Sequence, residues 1–223
     1  MFYFDKINGQ KILRSDLLGE VNAFFTTRNV RPCDLGFING RLLSPNQTHS
    51  ANVEIVDSGN EYLQTDGLIL NNTKDTIFLK FADCTPLIFY DTKNKVGAIS
   101  HAGWRGTAQR IGIKTVEKMS KHFNTTPEDL IVLIGPAIGI CCYEVSEEVK
   151  ETLLDSVEDK KGLFEARNID LKLINARQLE EVGVRNIDIC PYCTSCNNDL
   201  FYSYRKENGT TERHFAVLNL NEF

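Results

Sequence analysis

The 223-residue sequence is poor in histidine, methionine and tryptophan, with four, two and one of them. His49, His101, His122 and His214 are too few to ligate the several centres of a true multicopper oxidase, because imidazole is the usual copper ligand. The chain also has no basic run, and its net charge is −5, which argues against nucleic acid or an anionic membrane as partner. No apolar stretch approaches the length of a bilayer span. The N-terminal MFYFDKINGQK lacks the basic and then apolar regions of a secretion signal, so a cytoplasmic protein is expected. In that compartment the seven cysteines read as reduced thiols, some of them ligands, rather than a disulfide framework. With 42% hydrophobic residues the chain can bury a sizeable core without such help.

Most of the chemistry lies between Lys80 and Thr107, KFADCTPLIFYDTKNKVGAISHAGWRGT. Thr76–Phe81 and Pro86–Tyr90 have strand composition and meet at the corner Ala82-Asp83-Cys84. A third strand, Val96–Ser100, ends on His101, and Gly103-Trp104-Arg105-Gly106 opens a helix. Cysteine and histidine at adjacent strand ends can converge on one point, as a metal or nucleophilic site requires. His49, in Gln47-Thr48-His49-Ser50, is a further candidate ligand in a polar setting beside a short strand, Asn52–Val56.

Elsewhere, Phe2–Leu13 reads as a hairpin turning at Asn8-Gly9, and Val21–Thr27 as a strand that ends on Arg28. Residues 29–46 read as loop, and Thr65-Asp66-Gly67 as a turn before Leu68–Leu70. One helix is expected over Arg105–Phe123, others over Ser146–Val157 and Asp170–Val182, and strands over Leu130–Ile134 and Val184–Ile189. A terminal hairpin is expected from Leu200–Lys206 and Glu212–Leu220, turning at Asn208-Gly209. Cys141-Cys142 is expected to pack beside a strand end. Cys190, Cys193 and Cys196 are spaced like half a zinc ribbon, and only a distant donor could complete that site.

Six motifs, QTHSANV, TDGLIL, ADCTPLIFYD, SHAGWRGT, GPAIGICCYEV and CTSCNNDLFYSYR, occur in that order. Together they closely resemble the laccase-domain, or YfiH-like, proteins, often labelled polyphenol oxidases, over roughly residues 22–220. The resemblance implies an α+β fold, a single domain over residues 1–223 with mixed β-sheets flanked by helices. It implies a metal site of His49, Cys84 and His101. It also implies purine nucleoside phosphorylase activity, with adenosine deaminase and methylthioadenosine phosphorylase activity in the same pocket. Two departures stand out: the short segment RNVRPCDLGFINGRLLSP before QTH, and Thr211-Glu212-Arg213 where the family has TGR.

Two histidines and a cysteine leave one position open on a tetrahedral zinc, the arrangement of a catalytic site; zinc is expected, with copper as the alternative. The HxE…PCxxC signature of zinc deaminases is absent, so deamination would need another proton carrier, and Asp83 is the nearest. Phosphorolysis needs a cationic anchor. Arg105, between glycines at a helix start, is the first candidate and Arg28 the second. Gln47 is a further substrate-binding candidate, and Trp104 either stacks a base or packs. The expected partners are therefore a purine nucleoside and phosphate, with the chain a monomer or weak homodimer. Three other readings stay open. One is a Cys–His hydrolase, such as an amidase of cell-wall precursors, with Cys84 as nucleophile and His101 as base. The others are a weak copper-dependent phenol oxidase and a binding protein with a structural metal.

Overall fold

The turn at Asn8-Gly9 has φ of 47° and 80°, the left-handed geometry that lets a two-residue turn match the twist of the strands it joins. It closes the first hairpin of a chain whose computed structural model describes residues 1–36 and 40–222. Part of the loop expected over 29–46 therefore lies outside the described residues. The rest of it contains a 3-10 turn, Pro32–Leu35, and a two-residue strand.

The strands are β1 (Phe2–Ile7), β2 (Gln10–Ser15), β3 (Val21–Thr26), β4 (Leu42–Leu43), β5 (Val53–Ile55), β6 (Gly67–Leu70) and β7 (Thr76–Phe81). They continue with β8 (Thr85–Asp91), β9 (Val96–Ala102), β10 (Leu130–Ile134), β11 (Phe164–Glu165), β12 (Asn168–Ile169), β13 (Asn186–Ile189) and β14 (His214–Glu222). The helices are α1 (Trp104–Ala108), α2 (Ile111–Phe123), α3 (Glu147–Leu154) and α4 (Leu171–Glu181). One mixed sheet has the order β1-β2-β3-β14-β7-β4, and a second has β13-β10-β8-β9-β6-β5. The fold is thus α+β, with mixed sheets and four helices among the described residues.

Alternation along β8 accounts for the layers. Ile88 and Tyr90 face the core between the two sheets, beside Phe25, Leu79 and Leu218. Leu87 and Phe89 face the other way, into a layer shared with Ile111, Val116 and Met119 of α2 and with Leu179 of α4. A strand covered on both faces reads as a continuous apolar run, as TPLIFY does. The chain crosses from the first sheet to the second twice near one place. It does so between β4 and β5, and again at the three-residue corner between β7 and β8. These two crossings carry His49 and Cys84.

Two expectations are corrected. The single helix over Arg105–Phe123 is broken at Gln109-Arg110, where Arg110 has φ of 59°. The Thr107 carbonyl accepts the buried Gln178 Nε2 at 3.0 Å and the Arg110 N–H at 2.9 Å, so it is not available to continue the helical ladder. The terminal hairpin does not form either. Residues 200–206 form turns and irregular chain rather than a strand, because the N–H of Arg205 goes to Asp83 and that of Ser203 to the Glu207 carboxylate rather than to a ladder. β14 instead lies between β3 and β7, antiparallel to both.

Candidate functional site

Gly67 pairs with Ser100 where β6 and β9 run antiparallel, so Asp66 and His101 extend the same register. The His101 N–H donates to the Asp66 carbonyl at 2.7 Å, and His101 Nδ1 lies 2.8 Å from Asp66 Oδ1. Both side chains are buried. The Asp66 carboxylate also accepts the backbone N–H groups of Thr48, His49 and Ser50, at 3.1, 3.0 and 2.7 Å, and the Ser50 hydroxyl at 2.7 Å. These bonds hold His49 at φ 60°, a left-handed conformation uncommon outside glycine. One carboxylate thus shapes the QTHS loop and orients the second histidine. Burial works against its charge, but the His101 ring and the Ser50 donors outweigh it and hold the carboxyl well below the usual range.

Cys84 reaches the same point from the β7–β8 corner. Asp83 takes φ 85° there, and its carboxylate accepts Thr194 Oγ1 at 2.6 Å and the Arg205 N–H at 2.7 Å. Ligand atoms of His49, Cys84 and His101 lie within 4.8 Å of one another, and the two imidazoles meet edge to face at 4.9 Å. Burial raises the Cys84 thiol, while charge and hydrogen bonding from His101 and His49 more than offset this and bring it down to about 6. Burial lowers His101, but Cys84 and Asp66 lift it to about 9. Gly103 closes the back of the group. A Cβ there would stand 3.0 Å from Cys84 Sγ and 3.3 Å from His49 Cδ2.

The donor set fits one divalent ion. It offers two imidazoles and a thiol that ionises readily, and a carboxylate fixes the tautomer of one imidazole from behind. With Nδ1 committed to Asp66, Nε2 is the His101 nitrogen left for a ligand. The site opens into a cavity of about 830 Å³, within the range of small-molecule pockets. Trp104, Tyr143 and Tyr204 give it aromatic surface, and Lys80, Arg205 and Arg213 give it positive charge.

The other residues named from the sequence fall in different places. Gln47 borders the cavity, but its amide pairs with the Lys80 backbone in both directions, at 2.9 and 3.0 Å, and pins the loop to β7. Arg28 does not line the cavity. It meets Glu207 at 2.9 Å, donates to the Asn198 carbonyl at 2.9 Å and stacks 4.1 Å over Tyr202. Arg105, the first anchor candidate, is exposed and does not line the cavity; its guanidinium lies 4.4 Å from the ring of Trp104, which does. The cysteines depart from expectation. Cys141 and Cys142 are exposed and half-buried rather than packed, and they gather with Cys193 and Cys196. Cys190, the first of the CxxCxxC run, is buried apart from them in the core between the sheets. Asp66 is legible in the sequence only as part of a turn; the signal for it is its place in the TDGLIL motif.

No helix among the described residues is long and apolar enough to cross a membrane. A family model described as multi-copper polyphenol oxidoreductase laccase matches residues 26–221. A purine nucleoside phosphorylase of Clostridium acetobutylicum is 33% identical over 174 residues, covering 77% of this chain and 74% of that protein. The purine nucleoside phosphorylase YlmD of Geobacillus stearothermophilus is 34% identical over 206 residues, covering 84% and 75%. The crystal structure of YlmD from Geobacillus stearothermophilus superposes with a TM-score of 0.89 at 28% identity, covering 98% of this chain and 99% of the other. A Bacillus licheniformis hypothetical protein YfiH matches with a TM-score of 0.89 at 26% identity, again covering 98% and 99%. Two crossings between sheets, one buried carboxylate behind them and the match over residues 26–221 lead to one assignment: the chain belongs to the laccase-like, YfiH family.

Proposed function

We propose that this chain is a metal-dependent purine nucleoside phosphorylase. The observation that carries the reading is the His49–Cys84–His101 group, backed by Asp66, at a cavity that joins aromatic faces to cationic side chains. The names of the relatives support the substrate class. In the reaction an oxygen of phosphate bonds to C1′ of the ribose as the C1′–N9 bond breaks. The bonding pair leaves on the purine, which takes up a proton, and the products are free base and ribose 1-phosphate. A zinc ion held by His49, Cys84 and His101 would supply Lewis-acid polarisation of a substrate atom.

The remaining work falls to side chains of the cavity. Trp104 and Tyr143 line the cavity and are proposed to pack against a purine, each ring having an arginine over it, Arg105 at 4.4 Å and Arg205 at 5.5 Å. Burial holds the Tyr143 phenol above its usual range, so it stays protonated and can donate a hydrogen bond to the departing base. Lys80 and Arg213 are proposed to hold phosphate, Arg213 through Nε and Nη2 because its Nη1 already donates to the Thr210 and Glu212 carbonyls at 2.7 Å. Arg105 lies outside the cavity lining, against Trp104. Arg205 donates to the Glu144 carbonyl at 3.1 Å through both terminal nitrogens, which suits a wall better than an anchor. Adenosine deamination is proposed as a secondary activity at most. Asp83, the nearest proton carrier in sequence, has both carboxylate oxygens engaged.

A second reading has its own support. Without metal, Cys84 and His101 would form a thiolate–imidazolium pair oriented by Asp66, the arrangement of a Cys–His–Asp hydrolase. The third donor favours the metal, because a nucleophilic triad has no use for His49 at the same point. Incubating the purified protein with inosine, with and without phosphate, tests the proposal. Ribose 1-phosphate should form only when phosphate is present. Cleavage to free ribose at an undiminished rate without phosphate would overturn it.

A further inference from the structure

A second cysteine group, Cys141, Cys142, Cys193 and Cys196, stands outside the cavity lining. β10 and β13 are parallel neighbours, so the loops that follow them leave the same end of the sheet. The first loop carries Cys141 and Cys142, and the second carries Cys193 and Cys196. A bridge between Ala137 and Cys193 and the Thr194 N–H bonded to the Ala137 carbonyl at 3.0 Å hold the loops together. All four sulfurs lie within 4.8 Å of one another. Cys196 Sγ is 3.6 Å from Cys141 Sγ and 3.5 Å from Cys142 Sγ.

Those separations are informative. A disulfide needs sulfurs about 2.0 Å apart. Four sulfurs about 2.3 Å from a tetrahedral zinc stand about 3.8 Å from one another. Packing does not account for the group, since only Cys193 of the four is buried. The Gly139 N–H points at Cys193 Sγ from 3.2 Å, a donor of the kind that steadies a thiolate ligand from outside the first ring of contacts.

We propose that Cys141, Cys142, Cys193 and Cys196 bind a thiophilic divalent cation, zinc, as a closed four-thiolate structural site. Its role is to staple the two loops that build one wall of the cavity. Tyr143 and Glu144 follow Cys142 directly, and the second loop leads to Tyr204 and Arg205. Arg205 already ties the loops, donating to the Cys142 and Glu144 carbonyls, and Thr194 holds Asp83 at the corner beside Cys84. A site with four protein thiolates has no position open for substrate, so it is separate from the chemistry at His49, Cys84 and His101.

The test counts zinc on full-length protein purified under reducing conditions. Wild type should hold two equivalents, and Cys84→Ala and Cys196→Ser should each hold one. Cys84→Ala leaves the four-cysteine group untouched, so its count does not depend on whether Cys196→Ser folds. Replacing zinc by cobalt(II) in Cys84→Ala should produce the intense visible spectrum of a tetrahedral cobalt thiolate. Folded Cys84→Ala with neither zinc nor that spectrum overturns the proposal. So does non-reducing peptide mapping that finds Cys196 in a disulfide in protein alkylated in the cell lysate before any reductant is added. Equal zinc in wild type and Cys84→Ala, with loss in Cys196→Ser, would sink the first site and leave this one standing.

Discussion

His101 Nδ1 lies 2.8 Å from Asp66 Oδ1, and both groups are buried. The same carboxylate receives three consecutive backbone N–H groups around His49. Two of the three donors of the centre are therefore placed by one side chain that is not itself one of them. Asp66→Asn keeps the shape, removes the charge and turns an amide toward groups that donate. Metal affinity should fall about 10- to 100-fold, the usual cost of losing such a partner. A chelator competition titration measures this. Unchanged affinity would show that Asp66 serves folding alone.

Gly103 has φ −70°, which alanine adopts without strain. The cost of Gly103→Ala should therefore fall on the centre, where the new Cβ would crowd Cys84 and His49. Metal content and cleavage should drop, with a smaller change in melting temperature. A variant with full metal content would contradict this.

His214 lies in β14 against Phe201, with ring centroids 5.4 Å apart, and burial pushes it down to about 3 from an ordinary 6.5. Below pH 6.5 the unfolded chain binds a proton there and the folded chain does not. Its contribution to stability is thus complete above pH 6.5 and is lost as pH falls toward 3, at roughly 1.4 kcal/mol per pH unit. His214→Gln should flatten the fall in denaturation free energy between pH 6.5 and 5 relative to wild type. Parallel curves for the two proteins would refute it.

An arginine supplies a fixed pair of donors, whereas lysine supplies a mobile point charge. Arg213→Lys should weaken phosphate use about 10- to 100-fold, the cost of roughly 1.5–3 kcal/mol for one charge-assisted hydrogen bond. Arg105→Lys, outside the cavity lining, should change it less. Initial rates against phosphate concentration at saturating nucleoside separate the two. The reverse order would return the anchor to Arg105.

Local chemistry makes part of the fold legible in the sequence. Asn8-Gly9 marks the first turn, and TPLIFY marks a strand covered on both faces, because each depends on neighbouring residues only. The break at Arg110 depends on Gln178, 71 residues from the Thr107 carbonyl it occupies, and no local pattern reports that. The Asp66–His101 pair spans 35 residues and requires the β6–β9 pairing. Cys141 and Cys142 meet Cys196 across 55 and 54 residues, through two loops aligned by β10 and β13. From the sequence each cysteine motif is half a site, so Cys141-Cys142 reads as packing and CxxCxxC as incomplete. The terminal segment misleads for a related reason. Asn208-Gly209 does turn, but Glu207 and Asp83 take the backbone donors that a hairpin would need.

The most direct test of metal-dependent phosphorolysis at His49, Cys84 and His101 follows ribose 1-phosphate production from inosine in one assay series. The series comprises wild type as purified, wild type stripped by chelator, stripped protein with zinc restored, and Cys84→Ala with zinc added. Activity should vanish on stripping, return with zinc, and stay absent in folded Cys84→Ala. Full activity after stripping, or in Cys84→Ala, would contradict the assignment of chemistry to this centre.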